Sequence, residues 1–96
     1  MSEAEALART TRIARNPLVV TASSLDGAMM MHIDQGRYFL IDEIGDDIWN
    51  RLIIPCSLAN LVDSLARDYT ADPATLQRDV EQHIRRLAAE DIVHLG

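Results

Sequence analysis

Residues 37–49 place the tightest constraint on what this chain folds into. They begin with an apolar run, residues 38–41, and continue into an acidic segment with helical spacing that ends at the sole tryptophan, Trp49. We interpret the first part as an edge strand that leads into a helix. Because adjacent strand residues point to opposite faces, this strand needs cover on both faces. A chain of 96 residues offers a single core, so we expect something outside the chain to cover the second face.

Composition limits the class of protein. The length fits one domain, and no apolar run approaches the roughly 20 residues that span a membrane. A formal charge of -6 repels a phosphate backbone, so nucleic acid is not an expected partner. The single cysteine, Cys56, cannot form an internal disulfide, and the first residues lack the features of a secretion signal. These features together predict a cytoplasmic protein without a membrane partner.

Residues 1–16 are predicted to form a flexible, weakly helical arm. Arg9, Arg12 and Arg15 are spaced three apart, which places them on one side of a helix. The arm is interpreted either as a solvated segment or as a basic segment that touches a partner. Proline at position 17 disfavours helix at the preceding residue, so the folded domain is expected to comprise residues 17–96.

Three strands are predicted after this arm. Residues 18–22 are short and β-branched, and Asp26 and Gly27 form a turn pair that tolerates positive φ. Residues 28–33 form the second strand, and a turn with Gly36 in the left-handed position leads into residues 38–41. The pattern predicts a three-stranded antiparallel sheet.

Three helices follow the sheet. Asp42 is positioned to cap the first, Ser57 the second and Asp72 the third, where Pro73 takes the first helical position. Gly45 lies inside the first helix, and an interior glycine suggests close approach by another backbone or by the strand end. The expected fold is α+β, a three-stranded antiparallel sheet followed by three helices, with a winged helix-turn-helix-like arrangement.

The sequence shows no pattern typical of a catalytic or metal site. His32, His83 and His94 lie on three different predicted elements without metal-ligand spacing. Cys56 lies in a joint between helices, where it is either an inert packing residue or a nucleophile. His83, inside the apolar stripe of the third helix, is either a satisfied histidine at the core edge or a ligand contact. We predict a protein that is not an enzyme, without cofactor or metal.

The third strand is predicted to have an open edge, because residues 38–41 contain no lysine, proline or bulge signal. One interpretation is that a peptide adds as a further strand and that the third helix walls the groove. The other is that the N-terminal arm, the extended residues 92–95 or a second subunit covers the edge. A winged-helix DNA-binding module and a structural dimerisation module are further alternatives.

An ordered set of residues also carries a family resemblance. The set consists of Gly36, Arg37, Tyr38, Phe39, Leu40, Gly45, Ile48, Trp49, Leu52, Pro55, Cys56, Ser57, Leu61, Leu65, Tyr69, Leu76, Asp79, Val80 and Leu87. It resembles the PqqD-like family, the precursor-peptide recognition elements of ribosomally made, post-translationally modified peptides (RiPPs). The pattern is most similar to the stand-alone members of lasso-peptide gene clusters.

The resemblance implies a non-catalytic protein that binds the leader segment of a precursor peptide as an added antiparallel strand. It also implies delivery of the precursor to a leader peptidase and an ATP-dependent macrocyclase. Two positions depart from the family pattern: His83 replaces a large apolar residue, and Asp42 replaces a frequent asparagine. The peptide-binding residues implied are Arg37, Tyr38, Phe39, Leu40, Ile41, Asp42, Leu76, Asp79, Val80, Gln82, His83 and Arg86.

Overall fold

A computed structural model describes residues 7–96, which form six strands and three helices. In chain order the elements are β1 (Arg12–Arg15), β2 (Val19–Ser24), β3 (Gly27–His32), β4 (Arg37–Ile41), α1 (Glu43–Arg51), β5 (Cys56–Ser57), α2 (Leu58–Asp68), α3 (Pro73–Ala89) and β6 (Val93–Leu95). The strands make two three-stranded antiparallel sheets, β2-β3-β4 and β5-β1-β6. The predicted α+β class is confirmed, and the second sheet is an addition to it.

Sheet β2-β3-β4 follows the hairpin signals of the sequence. Gly27, the first residue of β3 after the first turn, has a φ of 141°, and a Cβ there would lie 1.9 Å from the carbonyl oxygen of Ile41. No side chain fits at that position. Gly36 in the second turn adopts a φ of 65°, the left-handed conformation predicted for it. The three predicted strands are therefore confirmed, with their ends shifted by one or two residues.

One face of this sheet is covered and the other is open. Met30 on the inner face is fully buried, and its cross-strand neighbour Phe39 packs against the core. On the outer face, Tyr38 is 65% exposed and Leu40 is 82% exposed. Within residues 7–96, the core therefore covers the inner face of β4, and the outer face remains exposed.

Sheet β5-β1-β6 corrects the prediction of an N-terminal arm. Residues Arg12–Arg15 form its central strand, with Ile13 opposite Cys56 on one side and Leu95 on the other. Ile13 is fully buried, so this segment belongs to the folded domain and is not helical. The arginine spacing suggested a helix. In the strand, side chains alternate between the two faces, and this alternation turns Ile13 into the core. Residues 1–6 of the predicted arm lie outside the described residues.

The three predicted helices are confirmed together with their caps. Asp42, Ser57 and Asp72 accept backbone N–H groups in the first turns of α1, α2 and α3 at 2.8, 3.1 and 3.1 Å. Pro73 occupies the first turn of α3. A side-chain cap of this kind is worth about 1 kcal/mol. None of the helices in the described part of the chain has the length and apolar character that crossing a membrane requires.

The core lies between the two sheets and the helices, and Trp49 of α1 is at its centre. Its side chain is almost fully buried with Leu61 of α2 and Ile84 of α3. The Arg15 guanidinium lies 4.3 Å from the Trp49 ring centroid, and its Nε donates to the Trp49 carbonyl oxygen at 3.1 Å. Stacking and hydrogen bonding by one side chain therefore fix β1 against α1.

Candidate functional site

β4 has one paired edge and one open edge. On one side it pairs with β3 along its whole length, with Phe39 opposite Met30. On the other side, no strand within residues 7–96 pairs with it. The strand contains neither lysine nor proline, the residues that usually protect an edge. Its outer N–H and C=O groups are therefore available to an additional strand.

The chain segments that were candidates to cover this edge lie elsewhere. Strand β6 pairs with β1. The segment before β1 runs along α3 and α2, where the Leu7 amide donates to Glu81 Oε2 at 3.0 Å and the Leu58 amide donates to the Thr11 carbonyl oxygen at 2.9 Å. The described part of the N-terminal segment and the C-terminal strand therefore both leave the β4 edge open.

Helix α3 lies beside the end of β4, and Gly45 allows this close approach. A Cβ on Gly45 would lie 3.1 Å from His83 Cε1 and 3.2 Å from Ile41 Cβ. The interior glycine thus makes room for a side chain of α3 and for the end of β4. The predicted close approach to the strand end is confirmed.

The other end of β4 is tied to the end of α3. Arg37 forms an ion pair with Glu90, the C-cap residue of α3, and its guanidinium lies 5.0 Å from the Phe39 ring centroid. Since His83 lies beside the end of β4 and Glu90 beside its start, α3 runs antiparallel to β4. A groove between the edge and the helix therefore has a defined direction.

A pocket of about 350 Å³ opens where α1, α2 and α3 meet the end of β4. Its apolar lining includes Ile48, Leu65 and Val80, and its carboxylates are Asp42 and Asp79. The complete lining comprises Asp42, Ile44, Gly45, Ile48, Leu65, Tyr69, Thr70, Ala71, Leu76, Asp79, Val80 and His83. An apolar interior beside acidic groups suits a side chain with an apolar body and a polar or cationic end.

A charged network holds the α2 wall of this pocket against α1. Arg51 donates to Asp47 Oδ1 at 2.9 Å, to the Ser64 carbonyl oxygen at 2.8 Å and to Asp68 Oδ2 at 2.6 Å. The Tyr69 hydroxyl donates to Asp47 Oδ2 at 2.5 Å. These contacts lower the pKa of Asp47, chiefly through its hydrogen bond with Arg51, and raise the pKa of Tyr69. The Tyr69 ring is thereby fixed at the pocket edge.

His83 is the titratable group inside the groove. Burial lowers its pKa below the ordinary 6.5, the positive charge of Arg86 lowers it further, and Asp42 opposes the shift. The imidazole is therefore neutral at pH 7. Its Nε2 is buried and has no hydrogen-bond partner among residues 7–96. The interpretation of His83 as a satisfied core-edge histidine does not describe this nitrogen.

The family model for PqqD, the coenzyme PQQ synthesis protein D, matches residues 27–93. The chain belongs to the PqqD family. The match runs from the start of β3 to the first residue of β6, so it includes β4, α3 and all residues that line the pocket. The family resemblance seen in the sequence is confirmed. Among curated proteins, none matches the chain.

Solved structures of other proteins share the fold. TbiB1 in complex with the TbiA(beta) leader peptide is 28% identical, with a TM-score of 0.77 over 84% of this chain and 94% of that one. Lasso peptide synthetase B1 complexed with the leader peptide is 18% identical, with a TM-score of 0.74 over 85% and 96%. The PqqD truncation of Methylobacterium extorquens PqqCD, a stand-alone RiPP recognition element, is 15% identical, with a TM-score of 0.71 over 86% and 88%.

The structure brings part of the predicted PqqD-type site together. Asp42, Leu76, Asp79, Val80 and His83 all line the pocket. Beside it, a more open depression is lined by Asp79, Gln82, His83 and Arg86. On β4, Phe39 and Ile41 turn inward, Tyr38 and Leu40 point to the open outer face, and Arg37 is ion-paired.

Several pocket residues were absent from the predicted set. Ile44 and Ile48 come from α1, Leu65 comes from α2, and Tyr69 is the C-cap residue of α2. Both Leu65 and Tyr69 belong to the residue set that carries the family resemblance, but apolar positions spaced along a helix equally describe core residues. Among residues 7–96, no group of three or more His, Cys, Asp or Glu side chains is arranged to hold a metal ion.

Proposed function

We propose that this chain binds the leader segment of a RiPP precursor peptide, of the lasso type, by adding it as an antiparallel strand to β4. The observation that carries the proposal is the open edge of β4, with α3 beside the strand and a side-chain pocket at the end of the strand. Strand addition supplies sequence-independent backbone hydrogen bonds, and a pocket supplies selectivity. Family membership and the leader-bound state of the 28% identical relative support the same proposal.

The strand edge alone is too weak to hold a flexible leader. Each hydrogen bond contributes about 0.5–1.5 kcal/mol net, whereas ordering a residue costs about 1–2 kcal/mol. Backbone pairing with Arg37–Ile41 therefore sets the register without providing the affinity. Burial of leader side chains in the pocket formed with α3 must supply the remainder.

Strand alternation divides the leader's side chains between two surfaces. One set faces α3 and the pocket, and the other extends the outer face beside Tyr38 and Leu40. The second set stays accessible to another protein while the leader is bound. This accessibility supports the further part of our proposal, that the chain delivers the precursor to a leader peptidase and an ATP-dependent macrocyclase without catalysing either step. We place this activity in the cytoplasm.

The decisive experiment is an N-methyl scan of the leader peptide encoded beside this gene. Each variant carries one N-methylated residue, which removes one N–H donor without changing the protein. Strand addition predicts that affinity falls at every second residue across a short segment, because alternate N–H groups point to β4. The affinity of each variant is measured by calorimetry. If the losses of affinity do not recur at every second residue, or if all variants bind equally well, strand addition is refuted.

The binding surface is located by amide NMR titration with the unmethylated leader. We expect shifts concentrated in residues 37–42 and 76–86. A peptide of the same composition in scrambled order is the control. Shifts confined to the outer edge of β2, with which no strand of the described residues pairs, would place the peptide on the wrong side of the domain.

A further inference from the structure

The two flanks of α3 differ in what covers them. One flank meets the segment before β1, where Arg9 donates to the Gln77 side chain and the Leu7 amide donates to Glu81. The other flank carries Asp79 and Arg86, which are exposed and line the groove. Only the second flank is therefore available to a peptide bound at β4.

The exposed flank is electrically polarised along the groove. Asp79 and Arg86 are seven residues apart, which places them on the same side of α3 and about 10.5 Å apart along its axis. Neither side chain has an ion pair or hydrogen bond within residues 7–96. Arg37, the nearest cation on β4, is matched by Glu90 and leaves this polarity intact.

The pocket adds negative charge at the Asp79 end of the exposed flank of α3. Its lining includes the carboxylates of Asp42 and Asp79 and the neutral imidazole of His83. No lysine or arginine is among the described residues that line it. Asp42 uses Oδ1 to cap α1. The adjoining depression lies towards the C-terminal end of α3. Among the residues that line the pocket and this depression, Arg86 of the depression is the only lysine or arginine.

Direction follows from the packing of α3 against β4. Because the two elements are antiparallel, a strand antiparallel to β4 runs in the same direction as α3. Its first residues lie beside Asp79 and its later residues beside Arg86. At about 3.4 Å per residue, the separation of about 10.5 Å corresponds to some three strand residues, so the nearest spacings that keep both side chains on one face are about two or four positions.

We infer, on the basis of the proposed function, that the groove selects an extended peptide in which a lysine or arginine precedes an aspartate or glutamate by about two or four positions. The aliphatic stem of the basic residue lies in the apolar pocket, and its cationic head meets Asp42 and Asp79. The acidic residue meets Arg86.

A random peptide library displayed against the immobilised chain tests the inference without knowledge of the leader. We expect enriched peptides to carry a basic residue followed by an acidic one at the stated spacing. If the enriched peptides lack this charge order or have the acidic residue first, the inference is wrong. The proposed leader binding is not contradicted by that result. Failure to enrich any peptide overturns both.

A charge exchange in the groove provides the matched test. In the double variant Asp79→Lys and Arg86→Glu, net charge is unchanged and polarity is reversed. Two charge pairs become repulsive, so the preferred selected peptide should bind about tenfold more weakly and its charge-reversed counterpart more tightly. The control exchange, Asp63→Lys and Arg67→Glu on the exposed side of α2, should change neither affinity. Equal effects of the two exchanges refute the inference.

Discussion

Replacing Gly45 by alanine has two opposing effects of similar size on the free energy of unfolding. In an exposed helix interior, replacing glycine by alanine stabilises by about 1 kcal/mol. Here the new Cβ would meet His83 Cε1 at 3.1 Å, Ile41 Cβ at 3.2 Å and Asp42 Oδ1 at 3.3 Å. Overpacking of this kind typically costs about 1–3 kcal/mol. We expect Gly45→Ala to lower the free energy of unfolding by about 0–2 kcal/mol.

A double-mutant cycle with His83→Ala separates the two effects. Removing the imidazole relieves the shortest of the three contacts and leaves the other two. Gly45→Ala should therefore be less destabilising in the His83→Ala background, with a coupling of about 1 kcal/mol. Urea denaturation followed by Trp49 fluorescence measures all four corners of the cycle. If Gly45→Ala stabilises by about 1 kcal/mol in both backgrounds, the close approach of α3 is not a constraint.

Three other predictions concern the sheets and the groove histidine. Met30→Ala should cost about 2–5 kcal/mol in urea denaturation, and Met29→Ala on the outer face less than about 1 kcal/mol; similar costs would contradict the assignment of the two faces. Ile13→Ala should also cost about 2–5 kcal/mol, whereas a flexible arm would show no change. Because the folded-state pKa of His83 is lowered, the unfolded chain binds a proton first and stability falls as pH drops below 6.5. His83→Leu should flatten that fall in denaturation midpoints measured from pH 7 to 5, and an unchanged slope would exclude His83 as its source.

The parts of the fold that short-range signals determine could be predicted from the sequence. A side-chain cap needs only a residue and the backbone within three positions of it, so the starts of α1, α2 and α3 were identified from Asp42, Ser57 and Asp72. The glycine turns that join β2, β3 and β4 are equally local.

Sheet β5-β1-β6 could not be predicted in the same way. β1 has four residues, two of them arginine, and its partners lie far along the chain. Such pairing leaves no periodic signal in a short segment, and the arginine spacing favoured the wrong structure. The pocket had the same difficulty, since α1, α2 and α3 each contribute apolar residues that resemble ordinary core positions.

The place of β1 between β5 and β6 has a consequence for synthesis. β1 leaves the ribosome before either partner, and β6 is the last of the nine elements to emerge. The hairpins of β2, β3 and β4 can form from neighbouring residues, while β1 must wait unpaired with Ile13 exposed. A nascent chain therefore displays the unpaired strand β1 together with the open edge of β4, and β1 lacks its longer partner until β6 is made. Pairing between such strands on neighbouring chains is the misfolding route to which this topology is most open during translation.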